Sequence, residues 1–66
     1  MFKVGDVVEF ANTRGFENLT GQLRKVVALE PGLVHGARPM VQVCRLDGKG
    51  KNSMYYAYRF RYHSHP

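Results

Sequence analysis

The chain has 66 residues, which is enough for one small domain and too few for a second. With 44% hydrophobic residues and a formal net charge of +5, its composition is typical of a globular rather than a disordered chain. So small a core excludes a deep enclosed active site, the lone Cys44 excludes an intramolecular disulfide, and no uncharged run approaches the roughly 20 residues of a membrane span. Because no signal peptide is in view either, we expect a cytoplasmic protein.

Short β-prone segments, rich in valine and tyrosine and bounded by glycine, proline, asparagine or aspartate, follow one another along the chain. A turn at 3–6 leads into the first strand, and a long polar loop, 11–19, follows it. Gly21 is expected to mark a bulge or bend near the start of the second strand. The predicted strands are Val7–Phe10, 20–29, 40–46 and 54–63.

Turn signals separate the later strands. Residues 30–32 and 36–39 form one predicted loop, and 47–52 forms a hairpin tip whose glycines can take positive φ. The last segment is either one long strand or two short strands separated by a turn near 57–59. No window has helical apolar spacing, so helix is limited to a single turn near Tyr58.

An open meander of this size would leave both sheet edges bare, and closure removes them. The predicted fold class is therefore all-β: a single small Src-homology-3-like barrel of four to five antiparallel strands over 1–66, with 63–66 as a frayed tail. An oligonucleotide-binding-type barrel is the alternative, and a three-stranded sheet with a helix fits less well. The predicted core residues are Val8, Phe10, Val26, Val41, Val43 and Phe60.

Residues 4–10, then Gly15, then residues 21–26 follow the pattern Gly-Asp-x-Val, a glycine loop, and Gly-x-x-x-x-Val. This stretch resembles the KOW motif of ribosomal proteins and transcription elongation factors. The resemblance implies a small barrel that contacts RNA. The longer loop, with 16–19 inserted, departs from that motif.

A second resemblance covers more of the chain. The order of its segments is similar to that in the small basic barrel subunits of electron-transfer complexes: Gly-Asp-x-Val, residues 19–21, residues 26–29, a loop ending in proline, and residues 40–43. These subunits include the variable chain of ferredoxin–thioredoxin reductase and the small stromal barrel of photosystem I. That resemblance implies a non-catalytic docking or accessory subunit. The basic C-terminal segment departs from that group.

The net positive charge lies entirely in the second half of the chain. Residues 1–33 carry four basic and four acidic side chains, whereas residues 34–66 carry six basic ones and Asp47 alone. Such asymmetry points to a polyanionic partner, although a net charge of this size also serves solubility.

The alternation in 54–63 separates two sets of side chains. Met54, Tyr56, Tyr58, Phe60 and Tyr62 are expected to face the core, because alternate residues of a strand share a face. A break near residue 57 would instead exchange the faces. The opposite set is expected to face outward and contains one aromatic ring, Tyr55, and the cations Arg59 and Arg61, next to the basic hairpin. An aromatic ring beside several cations is typical of proteins that bind single-stranded nucleic acid. The candidate binding residues are Lys49, Lys51, Tyr55, Arg59, Arg61, Arg45 and Arg38.

Other chemistry has weaker support. The hairpin tip 47–52 could cradle a phosphate but lacks P-loop spacing. Cys44 and the histidines lack zinc-ligand spacing, and burial of Cys44 as a small hydrophobe is favoured. No carboxylate pair suits acid–base catalysis, and residues 41–44 match only faintly a stretch of the plasmid-borne dihydrofolate reductase, an enzyme built on such a barrel.

The sequence therefore predicts a non-catalytic, basic module that binds nucleic acid, RNA or single strands, largely through phosphates. The alternative is a protein-docking accessory or inhibitory subunit whose basic face binds an acidic protein. Neither reading requires a metal, a cofactor or a membrane, and either suits a monomer or a subunit of a larger complex.

Overall fold

The computed structural model of the protein describes residues 2–30 and 38–64. These residues form a five-stranded antiparallel sheet with two single-turn 3-10 helices and no α-helix, as the all-β prediction requires. The last predicted segment is two strands, the second of the two alternatives. The parts of the predicted turns at 31–37 lie outside the described residues. The strands are β1 (Val7–Phe10), β2 (Leu23–Glu30), β3 (Met40–Cys44), β4 (Ser53–Tyr56) and β5 (Phe60–Ser64), and the 3-10 turns are Glu17–Leu19 and Ala57–Arg59.

The order of the strands across the sheet is β4-β3-β2-β1-β5. β1 therefore pairs with β2 on one side and with the last strand, β5, on the other, where Phe10 lies opposite Phe60. The N–H of Gly21 donates to the Phe10 carbonyl and the N–H of Phe10 donates to the Gln22 carbonyl, so two residues lie opposite one and the predicted bulge at Gly21 is confirmed. Gly21 has φ +85°, a conformation that L side chains rarely adopt, and a further register shift in β2 lies between Val26 and Ala28.

The core comprises the six residues that the sequence analysis selected. Each is at most 6% exposed, and β1, β2, β3 and β5 all contribute to it. Strict alternation within the short strands places these side chains inward. The six are Val8, Phe10, Val26, Val41, Val43 and Phe60.

The sheet is strongly curved. β4 and β5 are its two edges, yet the rings of Tyr55 in β4 and Phe60 in β5 lie 5.7 Å apart, centroid to centroid. Four strand spacings in a flat sheet would separate these edges by about 19 Å. The curvature brings rings from both edges over the same core.

The face assignment in β4 is the reverse of the prediction. Tyr55 lies opposite the buried Val41 and packs against the core, whereas Met54 and Tyr56 are exposed on the other face. The cause is the 3-10 turn Ala57–Arg59, which interrupts the alternation that a continuous strand would carry from Phe60 back to residue 54. Because the turn resets the register, an odd residue before it and an even residue after it share the core.

In β5 the predicted alternation holds for Phe60, which is buried, and for Arg61, which lies opposite the outward Glu9. Tyr62, which was predicted to face the core, lies opposite the buried Val8 but is 46% exposed and is not among the described residues packed against the core. β5 continues through Ser64, so part of the segment expected to be a frayed tail belongs to the sheet.

Candidate functional site

The seven predicted binding residues do not form one line. Arg45, Lys49 and Lys51 lie between β3 and β4, whereas Arg38 precedes β3 and Arg59 follows β4. Because β4 is extended, its two ends are about 10 Å apart, with the lysines beyond one end. Arg61 lies near the start of β5, two residues after Arg59. The predicted set is thus divided between the two ends of β4, with Arg61 in the strand that follows one of them.

Tyr55 is not an exposed ring available for stacking. It contacts the ring of Phe10 at 5.0 Å and 87° and the ring of Phe60 at 5.7 Å and 85°, both edge to face. Phe16 adds a third contact at 5.9 Å. These contacts make Tyr55 part of the aromatic core, which corrects its assignment to the binding face.

Two other tyrosines form an exposed platform. The rings of Tyr56 and Tyr58 are stacked, with centroids 5.6 Å apart and planes 16° apart, and each residue is 42% exposed. The guanidinium carbons of Arg38 and Arg59 lie 5.3 Å and 5.0 Å from the centroid of the Tyr58 ring. We call these four residues the arginine–tyrosine cluster.

Local backbone geometry assembles this cluster. Tyr56 ends β4 on its outer face, and Tyr58 lies inside the 3-10 turn that follows. The N–H of Ala57 donates to the carbonyl of Pro39 at 3.0 Å, which fixes the turn beside the segment that carries Arg38. Residues far apart in sequence thereby meet around one ring.

Arg59 is the anchored member of the cluster. Its guanidinium carbon lies 5.0 Å from the centroids of both the Phe16 and the Tyr58 rings, and its Nη1 donates to the carbonyl of Asn12 at 3.2 Å. The Arg59 carbonyl accepts from the N–H groups of Ala11 and Asn12. Arg59 therefore ties the β1–β2 loop to the exposed rings.

The predicted cations differ in their local charge balance. Arg45 pairs with Asp47 at 2.7 Å and Arg61 pairs with Glu9 at 3.0 Å, so an acid offsets each of them. Within residues 2–30 and 38–64, no ion pair is formed by Arg38 or Arg59. Among the described residues, therefore, no ion pair offsets the charges of the two arginines that lie beside the exposed rings.

Sequence reasoning did not place Tyr56 and Tyr58 on the exposed face because a single alternation assigned them to the core. A signal was nevertheless present. Five bulky residues at alternate positions, from Met54 to Tyr62, exceed what so thin a core can enclose. That excess predicts a break in the strand and exposure of some of the rings.

Other groups stand outside the cluster. Partial desolvation, and then the nearby Asp6 carboxylate, raise the pKa of Tyr62 above its ordinary value of 10.0. Cys44 is half-buried on the outer face of β3 rather than in the core. The described ranges contain no group of three histidine, cysteine or acidic residues placed to hold a metal ion, and no helix within them is long and apolar enough to cross a membrane.

No protein-family model matches the chain, and searches of curated proteins and of solved structures find no match either.

Proposed function

We propose that the protein is a non-catalytic module that binds RNA or other single-stranded nucleic acid at the arginine–tyrosine cluster. The observation that carries the proposal is the exposed Tyr56–Tyr58 stack, flanked by Arg38 and Arg59. Any base can stack on an aromatic face, and arginine contacts phosphates through a planar fork of donors. The cluster offers both kinds of contact within a few ångströms.

Single strands suit this site better than duplexes. Unpaired bases can leave their stack and lie on a protein ring, whereas paired bases cannot. Specific reading of a duplex uses an element that enters the major groove, often a helix. The described residues form no α-helix, and the cluster sits on a turn at one end of β4.

The basic hairpin would extend the contact. Lys49 and Lys51 are exposed and lie beyond the other end of β4. A strand that stacks at the cluster and continues along β4 would bring later phosphates to them. These contacts are electrostatic and independent of base sequence, so affinity would decrease with salt.

The proposal includes a closed form for the sheet. We infer that the five strands curl into a small Src-homology-3-like barrel, in which the 3-10 turn connects the two edge strands. The inter-edge contact of Tyr55 with Phe60 and the strand order β4-β3-β2-β1-β5 support this inference. The similarity of 4–26 to the KOW motif fits the same architecture and an RNA ligand.

The proposal is tested by anisotropy titration of labelled single-stranded RNA, the matching DNA and a duplex, at about 50 and 200 mM salt. Tyr58→Ala is the test variant, and Tyr62→Ala is a control at a ring of similar exposure on another edge. Loss of a stacking ring should weaken single-strand binding by about 1–3 kcal/mol and leave the salt slope nearly unchanged. The control should bind like the wild type once its folding is confirmed by circular dichroism.

Two outcomes would remove the proposal. A dissociation constant weaker than about 10⁻⁴ M at low salt would fall below ordinary non-specific binding. An equal loss of RNA affinity in Tyr58→Ala and Tyr62→Ala would mean that the arginine–tyrosine cluster is not the binding site. In the first case, docking of an acidic protein on the basic surface becomes the leading function.

A further inference from the structure

A cleft of about 550 Å³ lies between the start of β2 and the loop that follows β3. Its origin is in the sheet register. The described β2–β3 pairing begins at Lys25 and Cys44, so the residues that precede Lys25 and those that follow Cys44 are not paired with each other. The two walls are residues 22–24 and residues 45–47. The cleft is shallow and widely open to solvent, which suits an extended chain better than an enclosed small molecule, and it is distinct from the arginine–tyrosine cluster.

The walls combine aliphatic and cationic groups. Leu23 is half-buried on one wall, and Leu46 is 53% exposed on the other. Arg24 lies opposite the buried Val8, with its guanidinium carbon 5.3 Å from the centroid of the Phe10 ring, so it faces the core side of the cleft, whereas Leu23 lies opposite the outward Glu9. Arg45 adds a positive charge on the other wall, and Asp47 is the single acid among the lining residues. The exposed Lys49 and Lys51 follow in the same loop and increase the positive potential.

Hydrogen bonds orient both arginines and leave some of their N–H donors without a partner among the described residues of the cleft. Arg24 donates through Nη1 to the Leu23 carbonyl at 2.8 Å and through Nη2 to Gln22 Oε1 at 2.9 Å. Arg45 donates through Nη2 to Asp47 Oδ2 at 2.7 Å. A guanidinium has five donors, so each arginine retains donors for an anion. The exposed ion pair of Arg45 is weak enough to be exchanged for a ligand carboxylate.

From this lining we propose that the cleft binds an acidic peptide segment of a partner protein, with an aliphatic side chain placed between Leu23 and Leu46 and carboxylates on Arg24 and Arg45. None of the six lining residues is aromatic. The cleft thus lacks the stacking surface that a nucleobase uses, and its leucines match an aliphatic group that nucleic acid does not offer. The protein would carry two sites, one for each class of partner.

The test uses the full chain and a short fluorescent peptide in which aspartate and leucine alternate, compared with one in which serine replaces leucine. Arg45→Gln and Leu46→Ser are the test variants. Arg61→Gln is the matched control, because Arg61 is also an exposed arginine paired with one acid, but it lies on β5. Anisotropy gives the affinities, and amide NMR shifts report whether Leu23 and Leu46 move.

We expect Arg45→Gln to weaken binding of the leucine peptide at least about fivefold, because a charge-assisted hydrogen bond is lost. Leu46→Ser should weaken binding of the leucine peptide but not of the serine peptide. Arg61→Gln should change either affinity by less than about twofold. Tyr58→Ala should leave peptide binding unchanged.

Three results would overturn the inference. Equal binding of the two peptides would mean that the leucines take no part, and equal loss in Arg45→Gln and Arg61→Gln would reduce the effect to overall charge. Loss of peptide binding in Tyr58→Ala would move the peptide to the arginine–tyrosine cluster. None of these three peptide-binding comparisons depends on RNA binding. A failure of RNA binding would therefore leave the peptide proposal standing, and the two proposals fail separately.

Discussion

Tyr55 and Tyr56 are neighbours in sequence and belong to two different aromatic groups. Tyr55 contacts Phe10 and Phe60 edge to face in the interior, whereas Tyr56 stacks nearly parallel on Tyr58 at the surface. In the interior, rings interlock and fill volume. At the surface, the parallel pair leaves each tyrosine 42% exposed, with Arg38 and Arg59 over the Tyr58 ring. The strand register decides which role each tyrosine takes, since the two residues are chemically identical.

The largest effect is expected for the interior rings. Phe60→Ala should cost about 3–5 kcal/mol, because a 6%-exposed ring that contacts two others is replaced by a cavity. The total stability of a domain this small can be of the same size. We expect the variant to be unfolded in far-UV circular dichroism at room temperature. A folded, soluble Phe60→Ala protein would contradict this view of the core.

The neighbouring tyrosines give the direct comparison. Tyr55→Ala should destabilise the fold by about 2–3 kcal/mol, which is less than the loss of a fully buried ring because Tyr55 is half-buried. Tyr56→Ala should change stability by no more than about 0.5 kcal/mol. Urea denaturation of both variants measures the difference. Similar midpoints would mean that the register of β4 differs from the one described.

The two arginines of the cluster separate binding from stability. Replacement of Arg38 or Arg59 by glutamine should reduce the salt slope of RNA binding by about 0.7 in each case. Arg59→Gln should also lower stability by about 1 kcal/mol, because Arg59 lies over Phe16 and Tyr58 and bonds to Asn12. Salt-dependent titrations and thermal melts check the two effects. Unequal changes in the salt slope, together with equal stabilities, would contradict both assignments: phosphate contact by both arginines and stabilisation of the fold by Arg59 alone.

The smallest effect concerns Tyr62, which is as exposed as the outer pair but lies on the core side of β5. Its raised pKa means that the folded state favours the neutral phenol. Stability from this source is complete below the ordinary pKa of 10.0 and is lost as the pH rises through the higher folded value. Tyr62→Phe should flatten the decline in stability above about pH 10. A decline as steep as that of the wild type would exclude the contribution of Tyr62.

Much of the fold could be predicted from local pattern. The bounds of β1 and all six core residues followed from alternation within short strands, and the turn near Tyr58 followed from the length of the last segment. These features depend on a few consecutive residues. The pleat of a strand assigns their faces without information from elsewhere in the chain.

The candidate site was less accessible to sequence reasoning. Whether residues 54–56 follow the alternation of β5 depends on how many residues the turn consumes, and three residues of 3-10 helix were enough to exchange the faces. The meeting of Arg38 with Tyr58 depends on the β3–β4 register, in which Met40 lies opposite Tyr56, and on the bond from Ala57 to Pro39. Neither is a property of a local sequence window.

The pairing of β1 with β5 also affects how the chain folds. Val8 lies opposite Tyr62, so the first strand cannot gain its second neighbour until residues 60–64 have left the ribosome. Until then, Val8 and Phe10 have only β2 and β3 to cover them. Contacts this distant in sequence are typical of β domains that fold in milliseconds to seconds. Until residues 60–64 are available, the nascent chain therefore presents β1 with one edge unpaired and a core that lacks Phe60.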